Sequence, residues 1–270
     1  MKATVIVDNM ENNGIPGEWG LSVFIEYNGV KLLLDTGASS LFADNAAKLG
    51  FSLKDVDFAV LSHAHYDHAN GMGQFFEMNK KAKFYLQEGC GENCYFKKFV
   101  FYKYIGIPKG VLEKYQDRIV YASGNYKICQ GISLIPHKTS GLETIGKRES
   151  MYQKRSGKWY PDDFSHEQSL VFETQKGLVV FNSCSHGGVV NIINEVSAAY
   201  PGQKVLALIG GFHIYNKPEN EVRKLAEMIK TTGIEYVCTG HCTGEKAYGI
   251  LKEELGDMLH QLKVGLVMRF

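Results

Sequence analysis

The run Ser62-His63-Ala64-His65-Tyr66-Asp67-His68 constrains this chain more than any other stretch. It sets three imidazoles and a carboxylate within six residues, directly after Phe58-Ala59-Val60-Leu61, a short apolar run of the kind that forms a strand buried on both faces. A lone histidine at a strand end usually serves a hydrogen bond. Crowding three of them with an aspartate at a turn brings no packing benefit, whereas neutral imidazole and carboxylate are favoured ligands of zinc and similar divalent ions. The cluster therefore reads as a metal-binding loop.

Other predicted strands end in the same way. The runs Thr4 to Val7, Leu21 to Tyr27 and Val30 to Leu34 read as strands, the last two joined by Asn28-Gly29, a strong hairpin signal, and the third ends at Asp35-Thr36-Gly37. Ser169 to Thr174 and Leu178 to Phe181 read as a second hairpin that leads into Ser183-Cys184-Ser185-His186. Lys204 to Ile209 leads into Gly210-Gly211-Phe212-His213, and Glu235 to Cys238 into Thr239-Gly240-His241-Cys242. Helices are expected over Leu41 to Leu49, Val189 to Ala199 and Glu219 to Thr231, the last with Val222, Leu225, Ala226 and Ile229 at helical spacing and Gly233 as its stop.

The middle of the chain differs. From about 90 to 160 aromatic and basic residues interleave, and Lys138 to Lys158 holds six Lys or Arg (Lys138, Lys147, Arg148, Lys154, Arg155, Lys158) against Glu143 and Glu149. This stretch is expected to be an irregular insertion of loops and short strands covering one face of the core. Arg148 and Arg155 are the expected contacts to an anionic ligand, since arginine grips phosphate by a planar fork. Tyr95, Tyr102, Tyr104 and Trp159 are expected mainly to pack.

Composition narrows the classes. Thirty Lys and Arg against 29 Asp and Glu leave a formal charge of +1, which argues against a nucleic-acid partner, whose affinity rests on neutralising phosphates. No apolar run is long enough for a membrane span, and the N-terminal residues lack a signal-peptide pattern, so a cytoplasmic protein with reduced thiols is expected. Among the cysteines, Cys238 and Cys242 read as packing residues, and Cys90-Gly91-Glu92-Asn93-Cys94 lacks the second cysteine pair of a zinc motif.

His63-Ala64-His65-Tyr66-Asp67-His68 resembles the HxHxDH signature of the metallo-β-lactamase superfamily, Asp35-Thr36-Gly37 resembles its strand-end turn, and His241 its last metal-binding histidine. The Ser183-Cys184-Ser185-His186-Gly187-Gly188, Gly210-Gly211-Phe212-His213 and Thr239-Gly240-His241-Cys242-Thr243-Gly244 runs resemble the subgroup labelled 7,8-dihydropterin-6-methyl-4-(β-D-ribofuranosyl)-aminobenzene-5′-phosphate synthase-like. The resemblance implies an α+β fold, a four-layer αβ/βα sandwich, formed by a single domain over residues 1–270. It implies two divalent metal positions, zinc first with Mn, Fe or Ni as alternatives. His63, His65 and a third histidine would hold the first, His186 being the choice and His166 its competitor. Asp67, His68 and His241 would hold the second. The aspartate that commonly bridges the metals is absent here; either Cys184 takes its place or a hydroxide alone bridges.

A metal with an open position lowers the pKa of its water to about 7, so the implied activity is hydrolysis by metal-bound hydroxide of a phosphate ester or other small anionic ester. Asp67 would orient or deprotonate the nucleophile, and His213 would protonate a leaving group or contact a phosphoryl oxygen. The alternatives are a lactonase, thioesterase or β-lactam-type amide hydrolase, or a nuclease-like phosphodiesterase.

Overall fold

Strand periodicity and burial explain the layers. Along Ser22–Tyr27, Val23 and Ile25 point to one apolar core and Phe24 to another; Leu32 and Leu34 against Leu33, and Leu170 and Phe172 against Val171, alternate in the same way. Strands that are apolar on both faces must be covered on both. In the computed structural model, which describes residues 1–270, they form two seven-stranded sheets packed face to face. The first runs in the order Val267–Arg269, Lys2–Val7, Ser22–Tyr27, Val30–Leu34, Phe58–Val60, Lys83–Gln87, Ile119–Ala122. The second runs Leu259–Gln261, Tyr236–Thr239, Val205–Ile209, Gly177–Phe181, Gln168–Thr174, Ile132–Pro136, Tyr126–Cys129. Leu41–Lys48 and Met72–Met78 cover the outer face of the first sheet, and Val189–Ala199, Glu219–Thr231 and Glu245–Leu255 cover the second. The result is the four-layer sandwich, with one apolar core between the sheets and one under each helical layer.

The hairpin at Asn28-Gly29 forms as expected, with positive φ at both residues (49° and 82°) and Tyr27 paired with Val30. The C-terminal helix Glu245–Leu255 and strands Leu259–Gln261 and Val267–Arg269 complete the sheets. No helix is long and apolar enough to cross a membrane.

The stretch from 90 to 160 is not one irregular insertion. Ile119–Ala122, Tyr126–Cys129 and Ile132–Pro136 are edge and inner strands of the two main sheets. What remains folds as a four-stranded sheet in the order Lys158–Pro161, Met151–Arg155, Cys94–Lys98, Phe101–Tyr104, together with the short helices Val111–Lys114 and Leu142–Arg148. The aromatics pack there as expected: Tyr102 stacks on Trp159 at 3.7 Å, and Tyr95 meets Trp159 edge-on at 4.8 Å. Alternating aromatics, read as irregular, are the exposed and half-buried faces of strands.

The site follows from direction. Val30–Leu34 and Phe58–Val60 are parallel, as are Gly177–Phe181, Val205–Ile209 and Tyr236–Thr239, so their C-terminal ends emerge at a common edge. Close approach there depends on glycine. At Gly210, where φ is +145°, a Cβ would stand 1.9 Å from the Asn182 carbonyl oxygen. Gly210→Ala is expected to destabilise the fold by about 3 kcal/mol or more, a loss of roughly 6–12 °C in Tm by thermal melting.

Candidate metal centre

Asp35 organises the edge. It follows strand Val30–Leu34 in a left-handed conformation (φ 57°) and is fully buried, a costly place for a carboxylate unless every lone pair is used. The Ser62 amide donates to Oδ1 at 2.7 Å, and the Ser62 hydroxyl, the Ser183 hydroxyl and His68 Nδ1 donate to Oδ2 at 2.7, 2.6 and 2.8 Å. Two tautomers follow. His68 keeps its proton on Nδ1 and presents Nε2 as a lone pair. Ser62 has spent its proton on Asp35, so it accepts at 2.9 Å from His63 Nδ1, and His63 also presents Nε2.

The ring nitrogens of His63, His65 and His186 lie within 4.8 Å of one another. His186 is placed by Glu167, which accepts its amide and that of Gly187 at 3.0 Å each, and its ring stacks on Phe164 at 4.4 Å. Burial first, then the surrounding imidazoles, hold the pKa of His63 and of His186 well below the ordinary histidine value, which keeps both neutral and able to ligate. His166 is otherwise engaged: Nδ1 accepts the Ala64 amide at 3.1 Å and Nε2 donates to Asp162 at 3.2 Å. Both its nitrogens have hydrogen-bond partners, whereas those of His186 have none, and His166 also falls in a separate donor group with His65, Cys94 and Asp162.

A second group forms where Asp67 Oδ2 lies 3.7 Å from His68 Nε2 and 3.4 Å from His241 Nε2. His241 is fixed by its amide on Asp8 and by Nδ1 on Asn9, each at 3.0 Å. With Nδ1 so engaged on both rings, the Nε2 atoms of His68 and His241 face each other at 3.2 Å, which two lone pairs tolerate only with a proton or cation between them. Burial would lower the pKa of His241, but Cys242 and Asp67 push it up to about 9: the pocket draws in positive charge. Cys184 Sγ stands 3.3 Å from His68 Nε2 and 3.4 Å from Cys242 Sγ. Cys238 is in the inter-sheet core as expected, whereas Cys242, read as packing, reaches the site.

The orphaned atoms point the same way. Nine buried side-chain polar atoms lack a partner, and six of them are imidazole nitrogens of His63, His65, His186 and His213. His213, at the end of Val205–Ile209 with φ 48°, has both nitrogens free and its ring 4.5 Å from that of His186. The donor set fits one or two divalent cations. A cavity of about 240 Å³ opens over it, lined by His65, Asp67, Cys184, His186 and His213 on one side and by Phe96, Lys103 and Met151 of the small sheet, with the adjacent Ile105, on the other.

Arg148 and Arg155 do not contribute to that wall. Arg155 holds Asp163 through two contacts of 2.9 Å, whereas Arg148, 3.2 Å from Glu149, shares that carboxylate with Lys217 and lines an adjoining cavity of about 210 Å³ together with His186 and His213. Sequence reasoning also missed Asp162, whose Oδ2 is 3.8 Å from His65 Nε2 and which is held ionised against its burial by His166 and His65. The Asp162-Asp163 pair four residues before His166 was the available signal.

The family model for the metallo-β-lactamase superfamily matches residues 20–241, and this chain belongs to that superfamily. A Methanocaldococcus jannaschii protein described as 7,8-dihydropterin-6-methyl-4-(β-D-ribofuranosyl)-aminobenzene-5′-phosphate synthase is 28% identical, over 96% of this chain and 92% of its own. The solved structure of Tm1679, described as a metal-dependent hydrolase of the β-lactamase superfamily, matches with a TM-score of 0.85 and 28% identity over 100% of this chain and 99% of that one. A diphosphatase of the PhnP family shares the fold at 14% identity and a TM-score of 0.55, over 100% and 97% of the two chains.

Two predictions follow from the supports. Asp35→Asn keeps the shape but removes the charge that sets two histidine tautomers, and is expected to weaken metal affinity by about 10–100-fold in a chelator competition, with unchanged far-UV circular dichroism. His137 lies between Glu167 and Glu195; burial would lower its pKa, but these carboxylates push it up from 6.5 to about 9. The stabilisation it provides is complete below the unfolded value of 6.5 and is lost as pH rises through about 9. The Tm advantage of the parent over His137→Gln should therefore shrink between pH 6 and 9.5.

Proposed function

We propose that this protein is a metal-dependent hydrolase acting on a phosphate ester or another small anionic ester. The observation that carries the reading is the pair of donor groups, His63, His65, His186 and Asp67, His68, His241, whose free nitrogens and carboxylate oxygen meet beneath one open cavity. Membership of the superfamily supports it, as do the hydrolase description of Tm1679 and the phosphate in the name of the M. jannaschii relative's compound. That relative is described as a synthase, and the present reading assigns this chain the hydrolytic use of the fold.

In this reading the first trio would hold one divalent ion and the second trio another, and Cys184, whose Sγ lies 3.3 Å from His68 Nε2, would take the place of the missing aspartate. Zinc suits this mixture of imidazole, carboxylate and thiolate, and Mn, Fe and Ni suit its imidazole and carboxylate part. Such ions supply Lewis acidity and a water molecule deprotonated near neutral pH. The chain's own residues do the rest. Burial would raise the pKa of Asp67, but His68 and His241 hold it well below the ordinary carboxylate value, so it stays an acceptor that orients the attacking water. His213, with both nitrogens free at the cavity, donates a proton to the leaving oxygen or a hydrogen bond to the phosphoryl group. His65 is steadied by the charge of Asp162.

Metal analysis followed by a screen of phosphomonoesters, phosphodiesters, lactones and thioesters tests the reading. Turnover of anionic esters, lost with EDTA and restored by zinc or manganese, is expected. Asp67→Ala should lower kcat by about 100-fold or more at saturating metal without unfolding the protein. Turnover of lactones or thioesters alone would move the substrate class, and a metal-loaded protein inactive on all four classes would overturn the reading.

A further inference from the structure

Arg155 does not reach the site and Arg148 lines only the adjoining cavity beside His186 and His213, but one cation stands in the cavity over Asp67 itself. Lys103 is the only lysine or arginine lining the cavity over Asp67, His186 and His213. It lies on strand Phe101–Tyr104, the edge of the small sheet, and its ammonium makes no ion pair or hydrogen bond with the rest of the chain. Its neighbours have partners: Lys217 pairs with Glu149, which Arg148 shares at 3.2 Å, Arg155 pairs with Asp163, and Lys97 lies over the rings of Tyr102 and Tyr152. Glu149, the other charged residue on that side of the cavity, is neutralised by Lys217 at 2.7 Å.

Lys103 is also held in register with the metal loop. Two residues further along the chain, the Ile105 carbonyl accepts the Tyr66 amide at 2.8 Å, and Gly106 forms an isolated bridge with His65. The backbone just beyond Lys103 is thus fastened to the HxHxDH turn itself, which places this residue in the wall of the cavity that also contains Asp67 and His186.

We infer that Lys103 anchors a negatively charged group of the substrate at the cavity mouth and so selects anionic substrates. The inference rests on the hydrolase reading for what happens to the ligand next, but binding can be measured apart from turnover. A flexible point charge in the cavity wall suits a phosphate or carboxylate whose position varies with the substrate, whereas Arg155 is fixed on Asp163.

The test is calorimetric binding of phenylphosphonate to the metal-loaded protein, whose ring matches the exposed Trp19, Phe96 and Tyr215 around the mouth. Lys103→Ala is expected to weaken Kd by about tenfold or more, the order of one charge-assisted hydrogen bond, while Lys103→Arg stays within about threefold and metal content is unchanged in both. The salt dependence of binding should fall in Lys103→Ala. Unchanged affinity in Lys103→Ala, absence of millimolar binding by the parent, or equal weakening in both variants together with metal loss would each overturn the inference. A protein that binds phenylphosphonate through Lys103 yet hydrolyses no ester would overturn the hydrolase reading and leave this one standing.

Discussion

One buried carboxylate holds the centre together. Asp35 closes a strand of the first sheet, receives Ser62 and His68 from the metal loop, and receives Ser183 from the second sheet. Its left-handed backbone and full burial are both unfavourable alone, and four donors offset them. Because those donors come from two separate chain segments, one from each sheet, satisfying Asp35 also fixes how the sheets meet and which nitrogen of His63 and His68 is free. Stability and ligand tautomer are thus settled by the same contacts.

The other candidate ligands repeat this logic with different partners. His186 is set by Glu167, which is itself paired with His137 and through it with Glu195. His241 is set by Asp8 and Asn9 from the end of the first strand. Such buried polar networks are stable only when each member is satisfied, and here the unsatisfied nitrogens gather where a cation would complete them. The unpartnered nitrogens are thus gathered at one place, among side chains that could hold a metal ion.

The small sheet gives the site its second wall. Its aromatics stack among themselves and leave their strand edge beside the metal loop, so the cavity has imidazoles and thiols on one side and apolar rings with a single uncommitted ammonium on the other. Most of the positive charge that stands out along residues 138–158 is absorbed locally or faces solvent. Charge counted along the chain did not identify charge available to a ligand.

What the sequence determined by itself was the set of strands and their chemistry. Periodicity and turn residues located the main strands, the Asn28-Gly29 hairpin and three of the principal helices, and residue type alone marked His63 to His68, His186, His213 and His241 as metal-competent. Local rules suffice for these because side-chain period, turn φ and ligand chemistry are properties of a few neighbouring residues. The tertiary structure decided what depended on distant segments meeting. It released His186 and occupied His166, since Asp162 and the Ala64 amide reach only the latter; it brought Cys242 to Cys184; and it took Ile119–Pro136 into the main sheets. It also set Arg155 against Asp163, put Arg148 in the adjoining cavity rather than over Asp67, and left Lys103 without an acid, because whether a charge is available is set by which acids fold against it, a relation between surfaces that spacing along the chain does not encode.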